Sequence, residues 1–359
     1  MSGPQPAPAE RRSDEGGAAG RSARMFQGIR RGRRGGEPTV VPEAEFGSYY
    51  GRPVLKAPVW EWKIAAYLFC GGLAAGSSVL AAGADLTGRP SLRRSCRIGS
   101  LGALGALGAS LYFLVSDLGR PERFHHMLRV LKPTSPMSVG TWILSAFGPG
   151  AAAAAVAELL PARVRRRRLA GRLLDRLARP LGISAAATAP AVASYTAVLL
   201  SHTAVPGWSE VRDELPFVFV GSAAASGGGL GMLCAPVAEA GPARVFAAVG
   251  AAGEIVASRV MEHRLGLVGE VYREGHVATL RRASESLTAA GLLGTVLLAP
   301  RSRAGAAASG LALLTGSALQ RFGVFEAGVA STKDPKYVVV AQRERLDARA
   351  GRVRSPKSG

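Results

Sequence analysis

The chain alternates between long apolar runs and short polar breaks. Between residues 60 and 330, most charge sits in a few loops, and the stretches between are nearly uncharged for about 20 residues at a time. A helix rises about 1.5 Å per residue, so each stretch matches the roughly 30 Å hydrocarbon core of a bilayer. The pattern predicts eight transmembrane helices, at residues 60–83, 97–116, 137–160, 182–204, 216–236, 242–263, 284–300 and 305–330. No segment alternates apolar and polar residues as a membrane β-barrel requires, and no fixed-period repeat marks a solenoid. The expected fold class is an all-α polytopic membrane protein, an eight-transmembrane-helix bundle located in the cell membrane. Its membrane domain covers residues 47–331.

The two ends read differently. Residues 1–46 are rich in Gly, Pro, Ala and Arg and poor in large apolar residues, so they are expected to form a disordered basic tail. Arginine pairs there superficially resemble a twin-arginine signal, but no apolar region follows directly, and no cleavable signal is expected. Residues 332–359 are expected to form a polar C-terminal tail. In the segment 47–63, Pro53 and Pro58 delay the first helix, while Trp60 and Trp62 suit an interfacial belt.

Small residues recur within the apolar runs, including Gly72 and Gly76 four apart, and Gly227 to Gly229. They let helix backbones approach closely in lipid, and the Gly72/Gly76 pair is read as packing inside the bundle rather than as a dimer face.

The formal net charge of +20 raises the question of nucleic acid. Aromatics make up only 6% of the chain and do not interleave with a basic stripe, so nucleic acid is not an expected partner. Arginines flanking apolar spans are explained by membrane lipid and by topology. Cys70, Cys96 and Cys234 are isolated, and without a CxxC the chain is expected to hold no iron–sulfur cluster and no thiolate zinc site.

Polar chemistry gathers on one side of the predicted bundle. The loop after the second span opens the stretch DLGRPERFHHMLRVLKPTSPMSVGTW at 117–142, which carries Asp117, Arg120, His125 and His126. The same face receives the loops with Glu210, Asp213, Glu214 and Glu270, with His202 and His263 at adjacent helix ends. The opposite face is mostly arginine and glycine, densest in RVRRRR at 163–168. Positive loops stay cytoplasmic, so the histidine-bearing face is expected outside. A pair such as His202 and His263 can ligate haem, but each is also an ordinary interfacial histidine, and no haem is expected. Within the spans, Glu254 precedes Arg259 by five residues, and Arg321 precedes Glu326 by five. For Glu254 two readings stay open: a proton pathway or polar pocket wall, and an internal ion pair that locks the bundle. For Arg321, near a helix end, the structural reading is preferred.

Three stretches carry a resemblance: SYYGRPVLKAPVWEWKIAAYLFCGGLAAGS at 48–77, LVSDLGRPERFHHMLRVLKPTSPMSVGTWIL at 114–144, and QRFGVFEAGVASTKDPKYVV at 320–339. With them the chain resembles the NrfD/polysulfide-reductase family of membrane anchor subunits. The resemblance implies an eight-helix, quinone-reactive subunit that binds no metal of its own. It implies two partners, a four-cluster ferredoxin-like iron–sulfur subunit and, through it, a molybdopterin catalytic subunit. Quinol oxidation releases two electrons and two protons. The partner's cluster would take the electrons, and a titratable side chain must take each proton. Asp117, His126 and His125 are the expected proton acceptors. Lys56, Trp60, Glu61, Tyr67 and Arg120 are the expected pocket for the quinone headgroup, whose carbonyls need donors and whose ring needs apolar walls. Asp117 and Arg120 also fit an ion pair that caps the loop, which is compatible with that role. Menaquinone is the expected quinone. Two other functions remain: a secondary transporter, for which inverted repeats would speak and none is seen, and a purely structural membrane anchor without quinone chemistry.

Overall fold

Among the described residues, eight helices of twenty residues or more overlap the eight expected spans. They are α1 (Trp62–Leu86), α2 (Pro90–Ser116), α3 (Pro136–Leu159), α4 (Leu169–Ser201), α5 (Leu215–Cys234), α6 (Gly241–Arg264), α7 (Gly275–Leu297) and α8 (Arg303–Ser331). The computed structural model describes residues 54–58, 60–116, 121–161, 163–164 and 169–354, and no strand occurs among them. The expected disordered tail at 1–46 lies outside the described residues. A further helix, α9 (Lys336–Arg354), runs through the segment assigned to the polar C-terminal tail.

Among the described residues four helices, α1, α3, α4 and α5, are both long and apolar enough to cross a membrane, and the chain is a multi-pass membrane protein.

Local chemistry sets the helix starts. Proline, which needs no N–H partner in the first turn, opens α2 and α3 and sits second in α5 and α6. The Ser135 hydroxyl caps α3 by accepting from the Ser138 amide (3.4 Å), and Ser302 caps α8 by accepting from Gly305 N (2.9 Å). Three helices, α2, α4 and α7, begin well before their expected spans. The stretch ahead of 182 in α4, LAGRLLDRLARPL, is mostly Leu, Ala and Arg, which are good helix formers, and the helix runs through it despite Gly171 and Pro180. The early turns of α7 hold Arg281 and Glu285, whose charges are met by ion pairs with α6.

Consecutive long helices pack as antiparallel hairpins, α1 with α2, α3 with α4, α5 with α6 and α7 with α8. The centre of the bundle is the crossing of α1 and α5, the two helices with the most buried apolar windows. Gly76 meets Gly227 there. A Cβ on Gly227 would sit 2.5 Å from the Gly76 carbonyl carbon and 2.7 Å from Ser77 N, so only glycine permits this approach. Gly76 thus packs inside the bundle.

This arrangement puts the start of α1, the end of α2, the start of α3, the ends of α4, α6 and α8, and the starts of α5 and α7 at one end. The histidine-bearing loops connect at this end, called here the histidine rim. The arginine-rich loops connect at the other.

Candidate functional site

At the histidine rim the segment before α1 runs extended through Glu61 (φ −99°, ψ 177°) and lays Trp60 on Trp208. The two rings stack with centroids 5.6 Å apart and planes 23° from parallel. Trp208 in turn packs on Phe325, at 5.8 Å. Trp208 is wholly buried, and its indole N–H donates to the Val324 carbonyl (2.8 Å). The short helix Pro206–Ser209 that carries it is pinned on both sides. The Gly207 amide donates to Ser331 Oγ (3.0 Å), and the Tyr272 hydroxyl donates to the Gly207 carbonyl (2.7 Å). A Cβ on Gly328 would overlap the indole itself, which explains a glycine at that point of α8. Burial pushes the Tyr272 hydroxyl well above the usual phenol range, so it remains a donor at any ordinary pH.

The structure gathers only some of the expected site residues. Trp60 and Tyr67 share one hydrophobic cluster with Trp208 and Phe325, Tyr67 being buried and Trp60 half-buried. Lys56 and Glu61 are exposed, and Glu61 pairs with Lys63 at 2.9 Å. His125 and His126 lie on the 3₁₀ helix Pro121–Leu128, which packs on α2 and α3. Both are exposed, and their rings meet edge to face at 4.4 Å. Asp117 and Arg120 fall outside the described residues. Ser116, the residue before Asp117, ends α2 at the rim where α1 begins. That relation follows from the antiparallel α1–α2 hairpin, in which Ser78 Oγ lies 3.4 Å from Ser100 Oγ.

Trp208, Phe325 and Tyr272 were not singled out from the sequence. A signal did exist for the first: it is one of only four tryptophans, and it follows a proline in a loop at the rim. Other rim contacts tie the loops to helix ends. Arg264 donates to Glu214 (2.6 Å), and Lys336 to Glu270 (2.8 Å). The hydrogen bond to Glu270 holds the Lys336 ammonium above its ordinary range.

Beside this cluster a cleft of about 460 Å³, counted with its open mouth, descends between α6, α7 and α8. Its rim end is lined by Glu262, Arg281, Glu285 and Arg259. Arg281 bonds Glu262 and lies 3.5 Å from Glu285, and Arg259 Nε donates to Glu285 (2.8 Å). The inner end is lined by Glu254, Ser258, Ser284, Thr288 and Gln320. Ser284 Oγ donates to the Gly316 carbonyl (2.8 Å) and reaches Gln320 Oε1 (3.3 Å). Glu254 is 3% exposed, and Arg321, within electrostatic reach behind it, is 1% exposed. The Arg321 guanidinium donates to the Phe219 carbonyl (2.7 Å) and lies over the Phe219 ring at 3.7 Å. The partner of Arg259 is therefore Glu285 rather than Glu254.

The opposite end is built for cohesion. Glu158 accepts from Arg93 (2.9 Å) and Arg97 (2.8 Å), and Asp85 from the same two arginines (3.1 and 3.3 Å), with Arg179 3.7 Å away. This network ties α1, α2, α3 and α4 together. Glu239, in the α5–α6 loop, accepts from the Ser91 and Leu92 amides (3.0 and 3.3 Å) at the start of α2. Hydrogen bonding to Ser91, ahead of its bond to Leu92 and the charge of Arg89, lowers its carboxyl below the ordinary range.

Among the described residues, no three His, Cys, Asp or Glu side chains come together to hold a metal ion. The family model described as "Polysulphide reductase, NrfD" matches residues 54–244, more than half of the chain. A comparison of the whole chain with curated proteins found no match.

Proposed function

The chain belongs to the polysulphide reductase NrfD family, and on that footing we propose that it is the quinone-reactive membrane subunit of a molybdopterin oxidoreductase complex. Membership in the family makes it a membrane subunit of a redox complex. The finer reading is that it exchanges electrons between the quinone pool, menaquinone in particular, and a four-cluster ferredoxin-like subunit, while anchoring both partners. In this reading all eight long helices cross the bilayer, residues 47–331 form the membrane domain, and the histidine rim faces outward.

The observation that carries the proposal is the family match, because its bounds enclose every proposed site residue. The rim supports it. Trp60 offers a half-buried aromatic face against Trp208, and Tyr67 lies in the same cluster below it. These are the apolar walls a quinone ring needs. In this reading Lys56, Glu61 and Arg120 serve as the charged and hydrogen-bonding groups for the headgroup. Ser116, the residue before Asp117 in the sequence, ends α2 at that end, and His125 and His126 are exposed on the 3₁₀ helix Pro121–Leu128. When quinol gives up its two electrons, Asp117 or a histidine accepts each proton and passes it to rim water.

Purifying a tagged copy from its host membrane tests this. The expected result is co-purification with an iron–sulfur subunit and a molybdopterin subunit, together with quinol-dependent reduction of the clusters. Co-purification without quinol reactivity would reduce the chain to a structural anchor. A chain that purifies alone and moves a solute would make it a transporter.

A further inference from the structure

The cleft between α6, α7 and α8 lies wholly beyond the family match, which ends at residue 244. The residues proposed above for quinone chemistry do not line it. Three of its lining atoms, Glu254 Oε2, Ser258 Oγ and Thr288 Oγ1, are buried and have no hydrogen-bond partner in the protein. Burying one such group unmet costs about 1–3 kcal/mol, and more when it is charged. Three around one cavity are met only if something polar fills it.

We propose that this cleft is a water-filled proton branch, open at the histidine rim and closed at Glu254, which takes up and releases a proton from that side of the membrane alone. The chemistry of the lining selects the occupant. Two hydroxyls can both donate and accept, and a carboxylate accepts, which is the set that orders water. A metal cation is disfavoured because Arg321 stands behind Glu254 while Arg259 and Arg281 flank the mouth.

The step is a simple transfer. A hydronium in the cleft gives its proton to Glu254 Oε2, leaving water and a neutral carboxylic acid, and the reverse returns it. The charged groups that face Glu254 across the cleft are Arg259 and Glu262 on its own helix, and Arg281 and Glu285 on α7. From α8 come Arg321 and the neutral Gln320. α5 meets Glu254 through Gly221, where a Cβ would lie 2.7 Å from Glu254 N. Arg321 supports the anionic state when the proton leaves. The other four mouth charges pair among themselves and leave Glu254 as the group whose charge changes.

The proposal rests on α6, α7 and α8 crossing the bilayer, and the experiment separates the two claims. In membrane vesicles of the full chain lacking Cys70, Cys96 and Cys234, single cysteines are exposed to a charged, impermeant thiol reagent. Ser258→Cys reports on the cleft. Val256→Cys, 63% exposed on the outer surface of α6, reports on contact with lipid. Glu274→Cys, exposed in the loop before α7, marks the rim side. The expected result is labelling of Ser258→Cys only from the side that labels Glu274→Cys, with Val256→Cys unlabelled. In parallel, infrared spectra should show a protonated-carboxyl stretch that moves in D₂O and disappears in Glu254→Gln. An unlabelled Ser258→Cys beside an unlabelled Val256→Cys means a dry cleft and overturns the proton branch while the spanning arrangement stands. Labelling of Ser258→Cys from both sides, or a stretch unaffected by Glu254→Gln, also overturns it. Labelling of Val256→Cys would place α6 outside the lipid and remove both claims together.

Discussion

Removing the Trp208 indole should loosen the rim by an amount the structure allows to be worked out. The side chain is fully buried, stacks on Trp60 and makes one hydrogen bond, to the Val324 carbonyl. Truncating a buried tryptophan to alanine costs about 3–5 kcal/mol. Val324 sits inside α8 and keeps its helical hydrogen bond, so loss of the indole N–H leaves no orphaned acceptor. That part is then worth about 1 kcal/mol. Trp208→Ala is expected to destabilise by about 4 kcal/mol, and Trp208→Phe, which keeps a ring, by about 1–2 kcal/mol. The stack itself is isolated by a double-mutant cycle with Trp60→Ala, whose coupling should be about 0.5–1.5 kcal/mol. Equilibrium unfolding in mixed micelles, followed by helical circular dichroism, measures all five proteins. Coupling indistinguishable from zero, with Trp208→Ala within about 1 kcal/mol of wild type, would show that Trp208 does not hold the segment before α1 in place.

Two further outcomes follow from the packing. Gly227→Ala should destabilise by about 1–3 kcal/mol, because its methyl would meet the Gly76–Ser77 backbone and force α1 from α5; the same micelle unfolding checks it. The Glu239 carboxyl is lowered in the folded state, so the stability it lends α2 is present above its unfolded value and fades as pH falls through its folded one. Unfolding profiles against pH should therefore lose an acid-side slope in Glu239→Gln, and an unchanged slope would refute the cap.

Much of the fold was legible because a bilayer leaves few options. Nearly uncharged stretches of the right length read as helices, and each overlaps a long helix, four of them apolar enough among the described residues to cross a membrane. The helix starts were less legible. In α4 and α7 the helix continues through arginines that composition alone assigns to loops, since ion pairs and the water interface accept them. Pairings were the least legible. Glu158 and Glu239 lie far in sequence from the arginines and amides they serve, and nothing local marks them. Arg259 looked like a partner for Glu254 on spacing, yet five residues along a helix turns the side chain away, and Glu285 of α7 takes it instead. At the site, the Trp60 and Tyr67 readings rested on motif position, whereas Trp208 came from a loop that hydrophobic pattern alone passes over.

The central claim is that the histidine rim oxidises or reduces quinone with its own proton acceptors. The most direct measurement is the rate of quinol-dependent cluster reduction in the intact complex, comparing wild type with Asp117→Asn and His126→Gln. A lost general base slows proton transfer by roughly a hundredfold or more. The account predicts a fall of that order in kcat for at least one variant, with complex assembly and Tm unchanged. Full turnover in both variants would contradict it.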